Sequence, residues 1–290
     1  MTDARHAGAG RATTPRRFAV VGHVTHVTLG AVAALPKPGD IVHLDAPCWF
    51  PGGGGGMTFF QLVRSSAEVH LFTAVGTDDA GAAVAARLGA TSAVVHAARR
   101  EAPHTRDLVL VTPGGERTIV VIGAPLHARI DDAMPWDVFA TTDGVYFTGQ
   151  DADVLRAARA ARVLVVSARR RAVLVRPGVR ADVVVGSARD PLETSTLADY
   201  PVAPGALVMT EGADGGRIAT AAGTTRYPAA PAPPARVTSY GAGDSFVGAL
   251  TWHLACGLPL DEACRRAAVH GAALLAGPTP LEAQLPLAAP

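Results

Sequence analysis

Gly241-Ala242-Gly243-Asp244-Ser245-Phe246 is the stretch whose residue types and spacing point most directly to chemistry. Two glycines flank an alanine, an aspartate follows, and an apolar run then begins with Phe246, Val247, Ala249, Leu250, Trp252 and Leu254. The pattern predicts a tight turn feeding the first turn of a buried helix. Amides exposed at such a turn, together with the positive end of the helix dipole, form an anion site. Gly241 and Gly243 carry no side chain, so a phosphate can approach the backbone itself. Asp244 then sits beside the bound anion, placed to accept the proton of a hydroxyl that attacks phosphorus. The same residues admit a purely structural role, with Asp244 as a helix N-cap and the glycines only making a turn.

Composition narrows the chemistry. The chain has 290 residues, enough for one large domain or two small ones, and is 49% hydrophobic and 18% charged. Its net charge of +1 gives no electrostatic case for nucleic acid or membrane partners. The basic residues are almost all arginine, and Lys37 is the only lysine. A P-loop, a protein-kinase site and a pyridoxal phosphate Schiff base each need a lysine in a defined place. Lys37, in the Pro/Gly turn Leu35 to Gly39, fits none of them. Cys48, Cys256 and Cys264 are scattered, without a CxxC pair, which fits a reducing compartment better than a disulfide framework. The N-terminal stretch is polar and arginine-bearing, and no apolar run reaches membrane-spanning length, so a cytoplasmic protein is expected.

The elements that must position the motif follow from periodicity. Residues 1–17 are Ala/Gly/Thr/Arg-rich and read as a disordered tail, and Phe18 to Gly22 as a buried first strand. A Pro/Gly-punctuated stretch from Thr28 to Phe50 contains an expected strand at Ile41–Leu44. Pro51 and five glycines, Gly52 to Gly56, precede an expected helix from Met57 to Arg64. Strands are expected at Val69–Phe72, Val145–Phe147, Val163–Val166, Asp182–Val185 and Leu207–Met209. Helices are expected at Asp79–Leu88, Ala152–Ala161, Asp244–Cys256 and Asp261–Ala276. Leu108–Val111 and Thr118–Ile122 form a hairpin about Pro113-Gly114-Gly115. Ala229 to Pro234 is a Pro/Ala linker. This alternation predicts a mostly parallel sheet with helices on both faces, the strands near Ile41 and Leu108–Ile122 forming a separate small sheet.

Five motifs in order then resemble the ribokinase-like (PfkB) family of sugar and nucleoside kinases, across essentially Phe18 to Pro280. Gly241-Ala242-Gly243-Asp244 resembles the family's anion hole and catalytic base. Pro51 to Gly55 resembles its Gly-Gly substrate loop, and Ala74 to Gly81 the strand, turn and helix that follow. Gly115 to Thr118 with Gly123-Ala124 resembles a lid hairpin, and Thr210-Glu211-Gly212-Ala213-Asp214-Gly215 the Thr-x-Gly-x-x-Gly nucleotide segment. The resemblance implies an α/β three-layer sandwich over 18–290 with a small β lid, its segments near 36–50 and 105–123. It implies transfer of the ATP γ-phosphoryl group to a hydroxyl, usually a hydroxymethyl, of a small molecule, with Mg2+ bridging phosphates. Asp244 would be the base, the amides of Gly241, Ala242 and Gly243 would hold the phosphoryl group, and Thr210, Gly212 and Gly215 would hold the nucleotide. A homodimer through the lid is a further expectation.

Departures from the family pattern bear on substrate and ions. The Asn-x-x-Glu motif that organises Mg2+ is Ser187-Ala188-Arg189-Asp190, which leaves Asp190 as the metal-side carboxylate and Ser187 beside the nucleotide. The Asp-Thr pair linked to a monovalent cation is Thr238-Ser239, which puts that cation in doubt. The sugar-binding aspartate position is Val27, with Thr25 and His23 on the same strand face. The loop positions often held by Lys and Asn are Gly54 and Met57, following Gly52 and Gly53. His270 falls where a residue near adenine is often found, although a lone helix histidine is more often structural. Arg106 opens the lid strand and is either a substrate contact or a solvated face. With Val27, Gly54 and Met57 at the sugar positions, an acceptor with an apolar or aromatic portion, such as a nucleoside, is expected over a free sugar. The competing expectation is a catalytically weak family member acting as a binding or regulatory protein.

Overall fold

The computed structural model describes residues 15–176, 178–234, 236–277 and 279–288. Of the tail expected over residues 1–17, all but the last three lie outside the described residues, and Arg17 already belongs to the first strand. In chain order the strands and helices are β1 (Arg17–Val21), β2 (Thr25–Ala31), β3 (Asp45–Gly52), α1 (Gly53–Val63), β4 (Glu68–Gly76), α2 (Asp79–Gly89), β5 (Val94–Arg100), β6 (Arg106–Val111) and β7 (Arg117–Ile122). They continue with β8 (Gly144–Phe147), α3 (Ala152–Ala158), β9 (Val163–Ser167), α4 (Arg171–Val175), β10 (Val183–Ser187), β11 (Ala206–Thr210), β12 (Gly216–Thr220), β13 (Gly223–Tyr227), α5 (Ala242–Ala255) and α6 (Leu260–Ala273).

The large sheet has the order β13-β12-β11-β10-β9-β8-β1-β4-β5. It is parallel from β11 to β5, and β12 and β13 add an antiparallel end. Alternation along β1 sends Phe18 and Val20 to one face and Ala19 and Val21 to the other. The first face packs under Phe59 and Leu62 of α1, Val84 and Leu88 of α2, and Leu250 and Trp252 of α5. Phe18 and Trp252 stack there with ring centres 5.0 Å apart. The second face packs under Val154 and Leu155 of α3 and Leu174 of α4, with Phe72, Phe139 and Phe147. Near-continuous apolar runs in β8, β9 and β10 follow from burial on both faces. The result is the expected three-layer α/β sandwich.

A second sheet, ordered β3-β2-β6-β7, stands over the C-terminal end of the first. Its strands differ from expectation. Ile41 to Leu44 is irregular, and the strand lies at Asp45–Gly52, where Cys48, Trp49 and Phe50 pair with Leu29, Thr28 and Val27. Ile41 is 90% exposed, so its apolar side chain has no face to cover. Residues 25–31, read as punctuated loop from Thr28 onward, form the central strand. The inner face of this sheet joins the body through Val27, Leu29, Phe50, Met57, Val109, Val111, Tyr240 and Leu274.

The glycine run is the start of α1 rather than a loop ahead of it. Gly55 N–H donates to the His23 carbonyl at 3.1 Å, and a Cβ on Gly55 would lie 2.6 Å from that oxygen and 2.7 Å from the Gly22 carbonyl carbon. Backbone therefore meets backbone where β1 ends and α1 begins. The atoms met are main-chain atoms and cannot rotate away, so Gly55→Ala is expected to destabilise the fold by about 1–3 kcal/mol. A denaturant midpoint indistinguishable from wild type would contradict this close approach.

Candidate active site

Asp244 lies at the third position of α5, and the N-cap is Gly241, with φ 77° and no side-chain cap bond. The N-cap reading of Asp244 is thereby removed. Only glycine adopts that left-handed turn without penalty, and a Cβ on Gly241 would also come 2.5 Å from Met57 Cε. The first intrahelical bond runs from Ser245 N–H to the Gly241 carbonyl at 2.9 Å. The preceding amides of Ala242, Gly243 and Asp244 thus have no partner within the helix. Ala242 N–H closes a turn on the Ser239 carbonyl at 3.5 Å, which leaves Gly243 and Asp244 as the amides best placed for an anion. Gly243 is exposed, with open space where a Cβ would be.

The two glycine motifs meet at this carboxylate. A Cβ on Gly54 would lie 3.4 Å from Asp244 Oδ1, 3.8 Å from Thr148 Oγ1 and 3.9 Å from His23 Cε1. Gly53 N–H donates to Tyr240 Oη at 2.9 Å, and Thr58 Oγ1 donates to the Asp244 carbonyl at 3.2 Å. Gly52 packs under Val27 and Tyr240, so Gly52 supports the turn and Gly53 and Gly54 face the cleft. Enclosure by protein pushes the Asp244 carboxyl up to about 7, and the Glu193 carboxylate adds to the rise; Arg117, Arg169 and its own amide hold it down.

Of the expected substrate-side positions, Met57, Arg106 and Gly52 do not open on the cleft, and neither does Val27, where the family aspartate is missing. Val27 and Met57 are both fully buried, in the apolar joint between the two sheets. Thr25 is on the inner face, and its hydroxyl donates to Asp107 Oδ2 at 2.6 Å. Arg106 points outward, half-exposed, and pairs with Asp78 at 3.0 Å. Its neighbour Asp107 is the inward residue. It is buried, its other oxygen Oδ1 has no hydrogen-bond partner, and burial raises its pKa against the Thr25 bond. In the parallel pairing of β2 with β6, Asp107 is the register partner of Val27. The carboxylate absent from β2 is thus present one strand over. Alternation of Asp107, Val109 and Val111 on one face was the available signal.

His23 and His127 continue the polar wall. Their rings meet edge to face at 5.3 Å. Burial, then the charges of Arg170 and Arg169, lowers His23 to about 4; burial, His23 and Arg170 lower His127 to about 3. Both are neutral at physiological pH. Arg170 Nε donates to the Thr148 carbonyl at 2.8 Å, which fixes a guanidinium beside this wall.

At the neighbouring strand ends, Asp190 does not stand free for a metal. Its Oδ2 pairs with Arg169 and its Oδ1 accepts the Leu192 amide at 2.9 Å. Glu193 is the carboxylate turned toward Asp244; it accepts Ser187 N–H at 2.9 Å and Arg169 Nε at 3.1 Å. Ser187 Oγ accepts the Arg189 amide at 3.2 Å, and Thr210 Oγ1 donates to the Gly186 carbonyl at 3.3 Å, so both hydroxyls brace strand ends. The Gly212–Gly215 turn packs against Tyr227 to Ala229, with the Arg189 guanidinium over Gly212. An apolar slot of about 270 Å³ lies between Ala230–Pro233 and Val269, Ala272, Ala273 and Ala276. His270 is not in that slot. It lies in the α5–α6 seam, its ring 6.1 Å from His253, and burial lowers its pKa. No cluster of three or more His, Cys, Asp or Glu poised for a metal occurs among the described residues. Nor is any described helix long and apolar enough to cross a membrane.

This arrangement is that of a small-molecule kinase of the ribokinase fold. The pfkB family carbohydrate kinase profile matches residues 16–278, and the chain belongs to that family. Among solved structures, Giardia lamblia ribokinase superposes with a TM-score of 0.77 at 16% identity, covering 93% of this chain and 96% of that one. Sinorhizobium meliloti adenosine kinase gives 0.74 at 17%, covering 96% and 97%. A microbiome-derived acarbose kinase gives 0.70 at 20%, covering 90% and 93%. At these identities the likeness is one of fold. No curated protein matches the sequence significantly.

A base must be ionised to accept a proton, and a carboxyl raised to about 7 is ionised only above that pH. Acceptor kcat/KM is therefore expected to climb through pH 7 and to be lost below it. Asp244→Asn should lower kcat about 10²–10⁴-fold while ATP binding persists. An acid limb at pH 4, or near wild-type turnover by the variant, would remove Asp244 as the base.

Proposed function

We propose that the protein transfers the γ-phosphoryl group of ATP to a hydroxymethyl group of a sugar or sugar-like acceptor. The observation that carries this reading is the Asp244 carboxylate, raised to about 7, beside the open Gly243 amide at the start of α5 and facing Gly54. The acceptor hydroxyl gives its proton to Asp244 as its oxygen forms a bond to the γ-phosphorus. The bond from that phosphorus to the β,γ-bridging oxygen breaks, and ADP leaves. The amides of Gly243 and Asp244 hold the transferring oxygens, with Arg169 and the lid-borne Arg117 supplying positive charge nearby.

The nucleotide would run from the Thr210–Gly215 turn toward α6, with its base in the apolar slot beside Val269. An Arabidopsis thaliana ribokinase of this fold was solved with ribose and ATP, which supports ATP as the donor. Mg2+ is held chiefly by carboxylate, phosphate and water oxygens. Glu193 and Asp190 are the nearby carboxylates, but each is already engaged by Arg169 and a backbone amide, so they would have to exchange those bonds to hold the ion. When bound, the ion neutralises charge on the phosphates. The small sheet acts as the lid. Its β6–β7 turn docks on the loop before α5 through Ser239 N–H to the Gly115 carbonyl at 2.9 Å and Arg117 to Ser239 Oγ at 3.1 Å. Closed in this way, it excludes water from the transfer.

The acceptor side favours hydroxyls. With Val27 and Met57 withdrawn into the joint, the preference for an apolar or aromatic acceptor loses its basis. His23 and Thr148, both within 4 Å of a Cβ on Gly54, offer polar groups beside Asp244, and the unpartnered Asp107 Oδ1 is the buried carboxylate that an acceptor reaching the joint would meet. Asp107→Asn is expected to raise acceptor KM about 10–100-fold with little change in ATP KM, as loss of a charged hydrogen bond of about 1.5–3 kcal/mol implies. An unchanged acceptor KM would place Asp107 outside the site. The reading as a whole is tested by ATP consumption over pentoses, hexoses, disaccharides and nucleosides. Turnover on none of them would favour a binding or regulatory protein.

The lid also supports the homodimer. All six residues of β7 are exposed at the sheet edge, with Val121 53% and Ile122 54% accessible. A flat apolar edge strand is a pairing surface unless covered. A second copy is expected to cover it, so light scattering should give a dimer and Val121→Glu a monomer. A wild-type monomer at micromolar concentration would refute this.

A further inference from the structure

Beyond the reacting centre lies a cavity of about 490 Å³ at the C-terminal ends of β5 and β8. Its polar lining comes from Arg100, Glu101, His127, Arg129, Gln150 and Asp151. A line of contacts ties it to the base. Gly54 lies against Asp244 Oδ1 and His23, and the His23 ring meets the His127 ring. His127 is only 8% exposed, and neither ring nitrogen has a hydrogen-bond partner. A neutral imidazole carries one donor and one acceptor, and leaving them unmatched in a buried place is costly. A ligand hydroxyl, which both donates and accepts, suits whichever ring nitrogen a small turn of the imidazole presents to the cavity.

The cavity wall is fixed before any ligand arrives. Arg100 makes a two-pronged pair with Asp132, both bonds at 2.7 Å, and also donates to the His127 carbonyl at 3.0 Å. Its volume lies within the range of small-molecule sites, roughly 300–1,000 Å³. We propose that the acceptor has two parts, with its reacting hydroxymethyl end at Asp244 and a second, hydroxyl-rich ring held against His127 in this cavity. This rests on the kinase reading above and narrows it to acceptors of disaccharide or glycoside size. Sugar hydroxyls both donate and accept, so they match a lining that mixes guanidinium, carboxylate, amide and imidazole groups. A nucleobase presents flat apolar faces, which this lining of mostly polar and charged side chains, with no Phe, Tyr or Trp among its described residues, matches less well than a polyhydroxylated ring.

The test compares ribose, fructose, glucose and adenosine with maltose, cellobiose, sucrose and trehalose, by ATP consumption and by ligand-induced rise in Tm. At least one disaccharide should exceed every monosaccharide at least tenfold in kcat/KM and give the larger Tm rise. Ala102→Trp, which fills the cavity, should bring the disaccharide-to-monosaccharide ratio near one, and His127→Ala should lower it at least fivefold. Free sugars turned over with no gain from a second ring would overturn the inference and leave the kinase reading standing. Disaccharides that raise Tm without any turnover would uphold the cavity and sink the kinase reading. Adenosine as the best acceptor, no Tm rise with any disaccharide, or an Ala102→Trp variant that keeps the preference would each overturn the inference.

Discussion

The site depends on how closely three backbone segments can approach. The end of β1 at Gly22-His23 and the start of α1 at Gly55 meet backbone to backbone, and the start of α5 at Gly241 to Asp244 closes on them through the Met57, His23 and Asp244 side chains. Side-chain bonds then hold α1 against α5. Tyr240 Oη accepts the Gly53 amide, Thr58 reaches the Asp244 carbonyl, and Gln284 Nε2 bridges the Met57 carbonyl and Ser245 Oγ at 2.8 and 3.0 Å. Protein on most sides of the partly buried Asp244 removes much of the water from its carboxylate. Its raised pKa follows from that packing as much as from any charged neighbour.

The charges around Asp244 act in opposite directions and come from different elements. Glu193, on the turn after β10, raises its pKa; Arg169, after β9, and Arg117, on β7, lower it. Arg169 contacts Asp190 and Glu193 while still acting on Asp244, so one guanidinium balances three carboxylates. Arg117 belongs to the small sheet, and its hold on the body runs through Ser239. Docking of that sheet therefore brings a positive charge that favours the ionised form of Asp244. Shape and electrostatics are coupled through a single side chain.

How far the sequence revealed this varies with the kind of interaction. The Gly-Ala-Gly-Asp turn, the glycine run and the Thr-x-Gly-x-x-Gly segment were legible because their work is done by the backbone, and backbone demands appear as glycines at fixed spacing. The parallel strands were legible because burial on both faces makes them continuous apolar runs. By contrast, β5, with its His and Arg residues, and the Thr/Arg-bearing β13 lie at the sheet's two ends and carry weaker patterns. His270 could not be assigned from its position on a helix, because the packing of α5 decides which way it faces. Arg106 and Asp107 show the period-two limit most plainly, since one step along a strand exchanges the solvent face for the buried inner face.

The donor and acceptor halves of the site are thus written in different ways. Phosphates are recognised chiefly by amides, which any sequence supplies once glycines set the turn, so that half is contiguous and readable. The acceptor contacts proposed above depend on side chains brought together by register. Val27 and Asp107 are eighty residues apart, yet they are neighbours because β2 pairs in parallel with β6. Position by position, the loss of a carboxylate at residue 27 reads as loss of affinity for a sugar. Across the ladder it reads as relocation, because residue 107 presents the same group to the same face from the adjacent strand. Parallel in-register pairing makes such an exchange sterically mild, since both side chains leave the sheet on one side at neighbouring positions. Where a carboxylate stands in the small sheet is a property of the strand pair and not of either strand alone.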